Sequence, residues 1–222
     1  MDVVTTFLIP ALLGAQLVLS LVLTKGEICP GQRGRVHKTL PVLLVGWAIS
    51  LMITPAALLP LAALGYFTLK VKTGKTRDAG PLRVFYLAIG LAVVALVASL
   101  QGETLPKIGM SLVAVVMFGA LIAHLLLTQA RTRLQAFHRL LPFAGFAGAM
   151  LSALCVLWLA SGMDPESLTV ATKHVVAALM LLVVGVLVWA MHLLTGKAVN
   201  RWQLLAAAVL LIGSAQLQTV LF

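Results

Sequence analysis

Apolar positions in this chain fall in long uninterrupted runs separated by short polar segments, not in alternating stripes or in stripes three to four residues apart. The runs 3–24, 81–100, 106–128, 137–160, 168–194 and 202–221 each come near or exceed the roughly 20 residues that a helix needs to cross about 30 Å of hydrocarbon. A further run, 39–69, has 31 residues and as one helix would measure about 46 Å, half again the hydrocarbon thickness. The pattern predicts an all-α fold, a polytopic integral membrane helical bundle. One ambiguity is left: 39–69 is either a single helix kinked at Pro55 and Pro60, for seven transmembrane helices, or two short helices turning at "TPAALLP", for eight.

Charge separates the two readings. Lys25, Arg33, Arg35 and Lys38 precede the run, and Lys70, Lys72, Lys75, Arg77 and Arg83 follow it. Arg131, Arg133 and Arg139 form a third basic segment, and Lys197 and Arg201 a fourth. If the run turns back, the four segments share one side of the membrane and hold fourteen of the sixteen Lys and Arg residues, all but Lys107 and Lys173. If it crosses once, the split is ten against five, with Lys173 inside a span. Basic loops are retained in the cytoplasm, so eight helices with both termini outside are expected. Asp2, Glu103, Asp164 and Glu166 then fall on the outer side. At the turn, Thr54 is placed to cap a helix and Pro60 to occupy a first helical turn.

Composition adds the class. With 61% apolar residues, 10% charged residues and a mean hydropathy of +1.09, the chain has more apolar surface than a soluble domain buries. Residues 1–222 read as a single integral membrane domain, multi-pass in a cell membrane, the bacterial inner membrane being the expected one. The basic excess is explained by orientation of the spans, so membrane lipids and not nucleic acid are the expected partners; no protein partner is legible. The first run lacks a basic leader and a small-x-small cleavage site and reads as a retained span. No internal repeat stands out.

Ionisable groups in hydrocarbon are costly and usually functional. All six acids lie in predicted loops or at the N-terminus, which argues against an ion-coupled transporter built on buried carboxylates. His124 and His192 lie at matching depth near the basic end, His138 enters a span from that end, and His174 lies near the outer end beside Lys173. Paired histidines could hold haem, but the outer half offers no second histidine, and neither a cofactor nor a metal is expected. Trp47, Trp158, Trp189 and Trp202 read as interfacial anchors, and "ICPGQRG" as a turn. Gly145 with Ala149 and Gly148 with Ser152 read as close helix packing, and Gln16, Gln216 and Gln218 as an interhelical hydrogen-bonding set. The candidate polar pocket comprises Lys38, His124, His192 and Gln216.

Two segments, "RGRVHKTLPVLL" and the stretch from "VWAMHLLTGK" to "AQLQTVLF" with its Ala215-Gln216-Leu217, are similar to the YhhN-like family of membrane proteins. Its characterised members are lysoplasmalogenases, which hydrolyse a vinyl-ether lipid. The resemblance implies an eight-helix fold, with Lys38 at the family's lysine before the second helix. The family's Gly-Asp and Ser-Asp or Ser-Asn sites correspond here to Gly65-Tyr66 and Gly185-Val186, so its acidic site is not carried over. The expected function is therefore that of a lipid-facing membrane protein, a diverged non-catalytic relative. One alternative is an intramembrane lipid hydrolase in which Lys38, His124 or His192 takes over the polar roles; general acid or base work falls first to histidine. The other is a small transporter or accessory subunit with a site at the short helices near Pro55 and Pro60.

Overall fold

The computed structural model describes residues 3–219. A π-helical turn, Val4–Leu8, leads into α1 (Ile9–Lys25), followed by α2 (Pro30–Thr39), α3 (Pro41–Leu51), a 3-10 turn at Pro55–Ala57 and α4 (Leu58–Lys70). Then come α5 (Leu82–Ser99), α6 (Leu105–Gln129), α7 (Gln135–Ser161), α8 (Pro165–Thr195) and α9 (Arg201–Gln218). No strand occurs among the described residues. Val4–Lys25, α5, α6, α7 and α8 are long and apolar enough to cross a membrane. The two arms of the α2/α3–α4 hairpin are shorter, and α9 is less apolar, its first turn carrying Arg201 and Gln203.

Local chemistry marks several of these ends. Asp164 caps α8 by accepting the N–H groups of Glu166 and Ser167, and hydrogen bonds from Ser167 hold this exposed carboxyl below the usual carboxylate range. Gly196, at φ +65°, ends the same helix in the left-handed region that glycine enters freely. Asn200 caps α9 through the Trp202 N–H.

The run 39–69 is two helices, and its ends meet. His37 donates from Nδ1 to the Lys72 carbonyl at 2.9 Å, Arg33 to the Arg77 carbonyl at 2.7 Å, and the Thr76 N–H to the Pro30 carbonyl at 3.1 Å. A single kinked helix would hold residues 37 and 72 tens of ångströms apart. Arg35 reaches the carbonyls of Ala130 and Arg131 at 2.7 and 3.2 Å, and residues 128–139 share a cavity with 192–199. All four basic segments therefore gather at one end of the bundle. Two local expectations are corrected. "ICPGQRG" is no turn, because α2 begins at Pro30 with Cys29 as its N-cap residue, proline being pre-set for a first helical position. Thr54 stands at its N-cap position, but its hydroxyl makes no capping bond.

Packing reveals a repeat that the sequence alone had not disclosed. In the first four crossings α1 packs on α3 and α5, α3 on α4, and α4 on α5; in the last four, α6 packs on α7 and α9, α7 on α8, and α8 on α9. The halves meet chiefly through their first helices, α1 and α6, at Gly14-Ala15 and Gly119-Ala120. Placed in this frame, short motifs coincide. His37-Lys38-Thr39-Leu40-Pro41 corresponds to His138-Arg139-Leu140-Leu141-Pro142, and Thr73-Gly74-Lys75 to Thr195-Gly196-Lys197. Buried positions follow the same register: Pro60, Leu64 and Phe67 of α4 match Leu182, Val186 and Trp189 of α8. Phe85, Ala88, Ala92, Ala95 and Leu96 of α5 match Leu204, Ala207, Leu211, Ser214 and Ala215 of α9. Both halves begin with a helix running toward the basic end, the arrangement of parallel rather than inverted repeats.

Candidate functional site

A cavity of about 590 Å³ opens at the basic end of the second repeat, between the start of α7 and the turn after α8. Its walls include Arg131, Arg133 and Arg139 from the α6–α7 connection and α7, and Lys197 from the turn. His138 and His192 also line it, and no carboxylate does. Among the described residues, the side chains of Arg131, Arg133, Arg139 and Lys197 make no hydrogen bond or ion pair. Guanidinium groups left without a partner beside a concave wall present forked donors suited to phosphate or carboxylate oxygens.

One position of the repeat differs beside this cavity. In the first half Gly34 lets the Thr73-Gly74-Lys75 turn close directly on α2; a Cβ there would collide with the Gly74 carbonyl oxygen. In the second half that position, counted back from the shared histidine, is Gln135. Here the Thr195-Gly196-Lys197 turn stands away from α7, and Gln135 and the turn line the cavity between them.

Behind the cavity runs a directed chain of hydrogen bonds. The Trp189 indole N–H donates to His124 Nδ1 at 2.9 Å, which leaves the His124 proton on Nε2. That nitrogen lies 3.0 Å from His138 Nδ1, so His124 donates and His138 accepts. The remaining His138 proton, on Nε2, points at the Thr132 carbonyl 3.2 Å away. Each ring carries one proton, and the indole, a donor only, fixes the direction of the chain. His192 ties α8 to α7, its Nδ1 lying 3.0 Å from the Trp189 carbonyl and its Nε2 3.1 Å from the His138 carbonyl. Gln203 of α9 completes the junction by donating to the carbonyls of Val188 and Trp189 at 2.8 and 3.1 Å. The three imidazoles thus lie close together, with ring centroids 5.1 Å apart for His124 and His138 and 5.5 Å for His124 and His192. Their nitrogens face one another and carbonyls and do not converge on a point, and no cluster suited to a metal ion occurs among the described residues.

Of the four pocket residues expected from sequence, the structure brings together His124 and His192. Lys38 is exposed on α2 and belongs to the first repeat; its counterpart Arg139 lines the cavity. Gln216 is exposed near the far end of α9, four turns from the basic end. The glutamine set does not form either: Gln218 bonds Ser214 within its own helix, and the Gln16 amide is fully buried with neither its nitrogen nor its oxygen partnered. Trp47 and Trp189, expected as interfacial anchors, are fully buried, whereas Trp158 and Trp202 are exposed. His138, near the basic end as expected, is bound through both ring nitrogens. Sequence reasoning passed over Gln135 and Gln203 and gave Trp189 a different role. The duplicated His-Lys/Arg-x-Leu-Pro and Thr-Gly-Lys motifs were the signal that could have located this region.

Residues 2–218 match the model of a family described as an integral membrane domain. A protein of Haemophilus influenzae, described as an uncharacterized protein, is 34% identical over an alignment of 154 residues that covers 64% of this chain and 57% of that protein. The chain therefore spans somewhat over half the length of that relative. No solved structure matches.

Proposed function

The chain belongs to a family of integral membrane domains, and from that premise we propose that it is a lipid-facing, non-catalytic membrane protein whose second repeat holds an anionic lipid headgroup. One observation carries this reading: a cavity of about 590 Å³ at the membrane end of the bundle, walled by four cationic side chains and two imidazoles. The basic end is the cytoplasmic one, which places the cavity at the leaflet richest in anionic lipid. Apolar Leu193 and Val199 on the same wall give the first methylenes of an acyl chain a surface to leave by. The hydrolase alternative finds less support. His124 and His138 spend their ring nitrogens on each other, on Trp189 and on Thr132, so neither is left to act on a reacting bond.

Binding is tested in nanodiscs by native mass spectrometry of the ejected protein. Phosphatidylglycerol is expected to remain bound in preference to phosphatidylcholine. Each basic side chain near an anionic lipid contributes about 1 kcal/mol, so the triple variant Arg131→Gln/Arg139→Gln/Lys197→Gln should weaken retention roughly a hundredfold. Undiminished retention in that variant sinks the proposal. Orientation is tested by cysteine labelling in intact cells. Met52, 81% exposed at the α3–α4 turn, should accept an impermeant maleimide from outside as Met52→Cys in a Cys29→Ser background, whereas native Cys29 should react only after permeabilisation. The reverse pattern would place the cavity on the outer face.

A further inference from the structure

The two repeats treat the same cationic surface in different ways. In the first, the chain supplies the acceptors itself: backbone carbonyls of Lys72 and Arg77 take hydrogen bonds from His37 and Arg33, and the Gly74 carbonyl lies against Gly34. Segment 72–77 is thus a row of oxygen acceptors pressed onto the start of α2. In the second repeat Gln135 stands where Gly34 does and the equivalent turn lies away from the helix, and the cations facing the gap have no acceptor among the described residues. Whatever fills the gap must bring several oxygens at once. The formal charge of the lining, from Arg131, Arg133, Arg139 and Lys197 with no acid beside them, also sets how much negative charge the occupant should carry.

Resting on the headgroup reading above, we infer that this cavity selects a phosphate monoester over a phosphate diester. A diester headgroup such as that of phosphatidylglycerol brings one negative charge and two unesterified oxygens. A monoester brings a charge of about −1.5 to −2 and three such oxygens, enough to engage two guanidinium forks and the Lys197 ammonium together. The two Arg-rich walls come from the α6–α7 connection and the first turns of α7, and Lys197 comes from the turn after α8. A three-oxygen group at the centre therefore bridges elements that a two-oxygen group would span only in part.

The test uses the full chain in phosphatidylcholine nanodiscs doped equally with phosphatidic acid and phosphatidylglycerol of the same acyl composition, read by native mass spectrometry. Phosphatidic acid should be retained about fivefold or more over phosphatidylglycerol, the factor expected from one further ligand charge at a basic surface. The preference should fall to about one in Arg139→Gln/Lys197→Gln, both exposed positions whose change leaves the melting temperature in place. A second variant, Gln135→Gly, removes no charge; it should let the turn close as it does on Gly34 and lower retention of both lipids. Equal retention of the two anionic lipids overturns the monoester inference and leaves the headgroup reading intact, whereas retention of neither above phosphatidylcholine overturns both. Unchanged binding in Gln135→Gly overturns the account of how the cavity is kept open. Inorganic phosphate added in excess separates the sources: continued retention of phosphatidic acid supports a lipid ligand, and its complete release overturns the lipid in favour of a soluble phosphate monoester.

Discussion

Replacing Gly119 with leucine should yield no folded protein. At the α1/α6 contact a Cβ on Gly119 would lie 2.5 Å from the Gly14 Cα and 2.7 Å from its carbonyl carbon, and one on Gly14 would collide with the Val115 carbonyl oxygen. The obstacle is backbone on both sides, so no rotamer change relieves it and the helices must part. In a bilayer this is more serious than in water. Lipid is as apolar as leucine, so helices associate through close van der Waals packing, and small residues at the contact permit it. Overpacking in soluble cores typically costs about 1–3 kcal/mol; here the displaced pair is the main seam between the two repeats, and the loss spreads along it. Fluorescence-detected size-exclusion chromatography checks the outcome, with Gly90→Leu as control. Gly90 has open space where its Cβ would go, and leucine favours helix over glycine by close to 1 kcal/mol, so that variant should melt no lower than the parent. A monodisperse Gly119→Leu protein with a parental melting temperature would contradict the packing.

Trp189 is expected to be the most costly single side chain to truncate. It is fully buried, it rests on Gly145, where any Cβ would strike its ring, and its N–H starts the chain through His124. Trp189→Ala removes this volume from the middle of α6, α7 and α8 and should destabilise by about 3–5 kcal/mol. Trp189→Phe isolates the hydrogen bond. Its repeat counterpart is Phe67, itself fully buried and packed edge-on to His37 with ring centroids 6.2 Å apart, so phenylalanine suits the frame. The remaining loss is the donor to His124 Nδ1, and leaving that acceptor unpaired should cost about 1–3 kcal/mol. If the bond acts as described, His124→Leu and Trp189→Phe together should cost clearly less than their sum. Strict additivity in thermal or denaturant unfolding would show that the bond contributes nothing.

Much of the architecture was legible in the chain because the signals involved are local. The length of an apolar run decides whether it can span hydrocarbon, and the retention of Lys and Arg on one side decides which way each run points. These two facts gave the helical bundle and a hairpin turning at 54–60 before any contact was known; the turn lies at 52–57. Small residues at 145 and 148 were likewise read as close packing, and they face Trp189 and Met117.

The site was only half legible. His124 and His192 could be paired because depth along a helix follows from counting residues at 1.5 Å each. Rotation about the helix axis does not follow. A soluble helix marks its buried face by contrast with a polar one, but here lipid and protein interior are equally apolar, so nothing local indicated that Trp189 and Trp47 face inward or that Gln216 faces outward. The repeat stayed hidden for the same reason. Apolar residues exchange freely between halves, as Phe67 with Trp189 and Ala92 with Leu211, and the connections 71–81 and 196–200 differ in length, which shifts the register from one helix to the next. Run length and charge, each read along the chain, determined the helical bundle and the turning back of 39–69 that gathers the basic segments at one end. Which faces meet, which repeat is closed by its own backbone at Gly34 and which is left open beside Gln135 are relations between distant segments, and only their packing decided them.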